Sequence, residues 1–80
     1  MDRQLARILV STGFRSSREL GELLQMLKSQ CSADEYERLK PPIADAIAKI
    51  TNATFDPAFA AYPDLRDEVE AQIAKYGRFA

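Results

Sequence analysis

Apolar residues recur along this chain at steps of three and four, the spacing of a helix face, and no β-branched alternating run marks a strand. Leu5, Ile8, Leu9 and Thr12 form the first stripe and predict a short helix over about residues 2–11. Asp2 can cap it, and Gly13 supplies a left-handed exit. Two capping-box signatures follow, Ser16-x-x-Glu19 and Ser32-x-x-Glu35. In such a box the serine hydroxyl accepts from an orphaned amide while the glutamate reaches back to the serine N–H. They bracket a second predicted helix, 17–30, with Leu20, Leu23, Leu24, Leu27 and Cys31 on one face. Met26 widens that face to an arc of about 160°, more than one neighbouring helix covers.

Beyond the second box, Tyr36, Leu39, Ile43, Ile47, Ile50 and Thr54 hold a single helical phase, although Pro41-Pro42 lies inside it. Two prolines remove two backbone donors and disfavour helix in the residues before them. Two nearly consecutive pieces, 33–40 and 42–53, are therefore expected, with a break or kink at the prolines. Residues 54–63 read as a connector carrying one helical turn at 57–61, introduced by Asp56-Pro57, and bearing Phe55, Phe59 and Tyr62. A last helix starts at Pro63 or Asp64, buries Leu65, Val69, Ile73 and Tyr76, and ends at Gly77, leaving 78–80 as a tail that frays. The expected fold is all-α, one domain over 1–80 with four or five helices and short connectors. Its core would set the leucine stripe of helix two against Ile43–Ile50, closed by the last helix.

Composition alters this picture little. The chain is 46% hydrophobic and 29% charged, with a net charge of −1. That balance argues against a dominant attraction to nucleic acid or anionic lipid. Charge is uneven, +2 over 1–31 and −3 over the rest. The one cysteine and the lack of a signal-peptide pattern point to a reducing, cytoplasmic setting. No run is long enough to span a bilayer.

Candidate chemistry is sparse. There is no histidine, so the commonest general base and metal ligand is missing. Cys31 is in phase with Leu20, Leu24 and Leu27 and reads as a small buried thiol. The carboxylates at Asp34, Glu35 and Glu37, and at Asp64, Asp67, Glu68 and Glu70, occupy first helical turns, where negative charge is favoured without catalytic duty. No metal, cofactor or catalytic residue is expected. Residues 5–24 offer one alternative, a helix-turn-helix-like DNA-binding unit presenting Arg15, Ser17 and Arg18. Against it, Glu19 and Glu22 stand where buried apolar residues belong. Gly21 either admits a neighbouring backbone or is merely tolerated in an exposed helix. The leading expectation is a non-catalytic interaction or regulatory module, a homodimer and/or a partner of another protein. Its contact surface would use Leu23 and Met26, or Phe55, Phe59 and Tyr62, since aromatics and Met concentrate binding energy.

Overall fold

The computed structural model describes residues 1–79, and these form three helices rather than four or five: α1 (Arg3–Gln30), α2 (Ala33–Ala61) and α3 (Leu65–Tyr76). The all-α class holds. Asp2 does cap the first helix, its carboxylate accepting from the Leu5 amide at 2.7 Å. That helix then runs through Gly13 and Ser16 without an exit, so the separate helices at 2–11 and 17–30 are one.

The reason lies in the side of α1 that meets α2. Ala6, Val10, Gly13, Ser17, Leu20, Leu24, Leu27 and Cys31 succeed one another in steps of four and three across the supposed turn. A seven-residue repeat of this kind keeps one seam facing a partner helix. Of these positions, Ala6, Val10 and Gly13 are buried and the rest half-buried. Tertiary packing along 28 residues outweighs a local capping signal worth about 1 kcal/mol.

α1 and α2 are joined through Cys31 and Ser32 alone, a two-residue helical hairpin. The second capping box forms as expected. Glu35 N–H donates to Ser32 Oγ at 3.2 Å, and Ser32 N–H donates to Glu35 Oε1 at 3.1 Å. α2 passes through Pro41, Pro42 and Pro57, so neither the break at 41–42 nor the connector at 54–63 exists. Pro41 and Pro42 are exposed, as are Glu37 and Arg38, whose carbonyls lose their helical donors. Water can satisfy those carbonyls there, and the continuous seam holds the helix on both sides.

The antiparallel helices approach closely where Gly13 meets Thr54. A β-carbon on Gly13 would lie 2.8 Å from Thr54 Cβ and 3.1 Å from Phe55 Cε1. Thr54 is itself tied down, its hydroxyl donating to the Ile50 carbonyl at 2.7 Å. Gly21 meets nothing within 4 Å, so the close approach belongs to the other glycine.

α3 turns back over the open end of the hairpin. Gly77 ends it in the left-handed conformation, φ +74°, as its sequence position implies. The buried core comprises Ala6, Val10, Ala58, Leu65, Val69 and Phe79, with Leu9, Phe55, Phe59, Tyr62 and Ile73 packed against it. Phe79 is only 2% exposed, which corrects the expectation of a fraying tail; Ala80 lies outside the described residues. The last helix does close the core, but at the open end. The leucine segment of α1 lies along the half-buried remainder of the hairpin.

Candidate interaction surface

The hairpin has two broad sides, and only one is covered. On the α3 side, Arg3 and Arg7 reach across to the third helix. Arg3 makes a two-pronged pair with Asp64, at 2.8 and 3.2 Å, and also meets Glu68 at 3.3 Å. Arg7 grips Glu68 through Nε and NH2, at 3.2 and 3.0 Å. The Arg3 guanidinium also lies 5.5 Å from the Tyr62 ring centroid, while Tyr62 Oη donates to the Met1 carbonyl at 2.8 Å. Arg66 of α3 stacks over Phe59 at 4.6 Å. These contacts latch α3 to both hairpin helices.

The hydrogen bond from Arg3 holds the Asp64 carboxyl below the ordinary carboxylate range, and raises the guanidinium in turn. A depressed carboxylate pKa stabilises the fold above the unfolded value and loses that contribution as pH falls through the folded one. The raised arginine stays charged throughout this window. Acid should therefore loosen α3 from the hairpin. We expect the Val69 and Ile73 methyl resonances to shift toward random-coil positions as the pH is taken below the ordinary carboxylate range. A smaller shift is expected in molar salt at neutral pH, because the pair is largely exposed. Unmoved resonances at both conditions would mean that apolar burial alone holds α3.

Among the described residues, no element lies on the opposite side. At 100° per residue, Leu5, Leu9, Thr12, Ser16, Leu20, Leu23 and Leu27 turn toward it from α1, with Ile8, Glu19 and Met26 along its outer edge. From α2 come Leu39, Ile43, Ala46, Ile50, Ala53 and Pro57. Leu5, Ile8, Met26 and Leu39 are 46%, 49%, 53% and 41% exposed, and they are four of the six most exposed large apolar side chains. The stripe Leu5, Ile8, Leu9, Thr12, read from sequence as the core-facing side of a short helix, belongs largely to this open face. What faces α2 instead is the small set Ala6, Val10, Gly13 and Ser17. Small residues inside let the helices close, and they leave the large residues outside.

The candidate residues from the sequence fall on different sides. Leu23 and Met26 lie on the open face, half-buried and exposed respectively. Phe55 and Phe59 are in the body of α2, their rings 5.9 Å apart, and Tyr62 caps that helix. All three pack against the core on the α3 side. Arg15 is exposed, and Arg18 pairs with Glu22 along the helix at 3.3 Å. Ser17 lies in the seam, its Oγ buried without a partner. Residues 5–24 form one unbroken helix, so the turn that the DNA-binding alternative requires is absent there. Cys31 is half-buried at the C-cap of α1, its thiol donating to the Leu27 carbonyl at 2.9 Å.

Sequence reasoning overlooked Leu5, Ile8 and Leu39 as surface residues. The available signal was the second apolar stripe on α1, which becomes apparent only once Ala6, Val10, Gly13 and Ser17 are recognised as the inner one. No family model, curated protein or solved structure matches the chain. Among the described residues, no helix is long and apolar enough to cross a membrane.

Proposed function

We propose that this chain is a small non-catalytic interaction or regulatory module that works through the open apolar face opposite α3. One observation carries the proposal: Leu5 and Ile8 near the open end, and Met26 and Leu39 near the turn, are exposed on the side of the hairpin that no described element covers. Domains ordinarily bury each helix stripe against a second layer. Here the Cα atoms span only 14 Å in the thinnest direction. Exposed large apolar residues repeated along one uncovered face mark a contact site. Its edge holds Met26, whose flexible side chain adapts to a partner.

Photo-crosslinking in cells tests the reading. A photoreactive residue at Met26 or Leu39 should capture protein. The same residue at Gln25 or Ala48, both exposed and turned away from the face, should capture much less. Equal yields from all four positions, or none from the face, would contradict it.

A further inference from the structure

Building on that reading, we infer that the occupant of the open face is a second copy of this chain. It lies with its α1 on the partner's α2 and with both Cys31–Ser32 turns at the same end of a four-helix bundle. Three features converge on this arrangement.

The first is area. The described residues span 45 × 24 × 14 Å between Cα atoms. Two helices each about 10 Å across, side by side over about 42 Å, offer a footprint on the order of 800 Å² per copy, and a stable pair buries about 800 Å² on each side.

The second is size. The α1 part of the face is the bulkier, with Leu5, Leu20, Leu23 and Met26 and only two small residues, Thr12 and Ser16, whereas the α2 part mixes Leu39, Ile43 and Ile50 with Ala46, Ala53 and Pro57. A two-fold axis parallel to the long axis of the hairpin sets the bulkier helix on the less bulky one, an arrangement that interdigitates. An axis across the hairpin stacks the two bulkier helices on each other.

The third is charge. Counting outward from the Gly13–Thr54 crossing in opposite directions puts Ile8, Glu19 and Met26 within one residue of the levels of Ala60, Lys49 and Pro42 respectively. All six are on the outer edge of the face. In the same-end pair, Glu19 of one copy meets the partner's Lys49, and an apolar contact stands on either side of it. Glu19 is the sole charged residue in the α1 part of the face, and this pairing gives it a cation, although Lys49 also pairs with Asp45 of its own helix at 3.0 Å.

Sedimentation equilibrium of the full chain, followed by spin-label distances, tests the inference. Wild type should sediment at about twice 9.0 kDa. Met26→Lys should sediment as a monomer with an unchanged helical spectrum, as should Ala53→Glu, which alters only an exposed position. With Cys31→Ser and a label on Ser29→Cys, near the turn, the same-end dimer gives a separation under about 30 Å. The opposite-end dimer gives one comparable to the 45 Å long axis of the molecule. A 9.0 kDa species at high micromolar concentration overturns self-association. So does a dimer that both variants leave intact. A long distance overturns the same-end arrangement. If the chain is monomeric but Met26 crosslinks a different protein in cells, this inference fails and the interaction module stands. If Met26 captures nothing, both fail.

Discussion

Replacing Gly13 by alanine should lower stability, while the same replacement at Gly21 should raise it. Intrinsic helix propensity favours alanine at both positions by about 1 kcal/mol. At Gly21 nothing lies within 4 Å of the new methyl, so most of that gain should survive. It corresponds to a rise in Tm of about 4–8 °C for a chain of this size. At Gly13 the methyl meets Thr54 Cβ at 2.8 Å. That atom sits next to the α2 backbone and cannot swing away, so the helices must part along the crossing. Overpacking of this sort costs about 1–3 kcal/mol, which outweighs the propensity gain. Gly13→Val, adding two further methyl groups toward Thr54 and Phe55, should be worse, with Tm lowered by about 10 °C or more. Thermal melts by circular dichroism settle the sign. Stabilisation by Gly13→Ala would mean that the helices do not approach as closely as described.

Phe79→Ala should rank among the most damaging substitutions in the chain, despite lying one residue from its end. The side chain is 2% exposed and is packed with Leu65, Val69, Ala6 and Val10. Truncating a buried phenylalanine costs about 3–5 kcal/mol. Total stability for a domain of this length is only about 4–12 kcal/mol. Arg78→Ala, at an exposed neighbour, should change stability by less than about 0.5 kcal/mol. The loss should be uneven. α3 is attached through Leu65, Val69, Phe79 and the arginine latch, whereas α1 and α2 share a seam along their whole length. Hydrogen exchange should therefore accelerate first in the α3 amides, with those of α1 and α2 protected longer. Loss of protection at the same rate in all three helices would show that α3 is part of a single cooperative unit.

The parts of this fold that could be read from sequence are those fixed by local chemistry. Asp2 caps α1, the Ser32–Glu35 box opens α2, and Gly77 closes α3 because glycine takes a positive φ without strain. The failures share one cause. At Ser16-x-x-Glu19 and Pro41-Pro42, local signals for a boundary competed with a seam that runs the length of both helices, and the seam prevailed. The phase preserved from Tyr36 to Thr54 across the prolines was the sign of continuity in α2. In α1 the corresponding sign was masked because Ala6, Gly13 and Ser17 are not conspicuous core residues, whereas Leu5, Ile8 and Leu9 are. Phe55, Phe59 and Tyr62 read in the sequence as a candidate contact surface, but the return of α3 over them depends on Arg3, Arg7 and Glu68, far apart in the chain. Leu23 and Met26 stand out in the sequence because the apolar arc is too wide for one neighbour. The structure gives that excess a location, the side of the hairpin opposite α3.

The most direct test of the central claim is the solvent exposure of that face in solution, read from methyl resonances with a soluble paramagnetic agent. In wild type, the methyls of Leu5, Ile8, Leu23 and Leu39 should be protected as fully as those of Leu65. In monomeric Ala53→Glu they should be strongly broadened, while Leu65 and Val69 stay protected. Equal broadening in wild type and variant would contradict self-association through this face, because no second copy would then cover it.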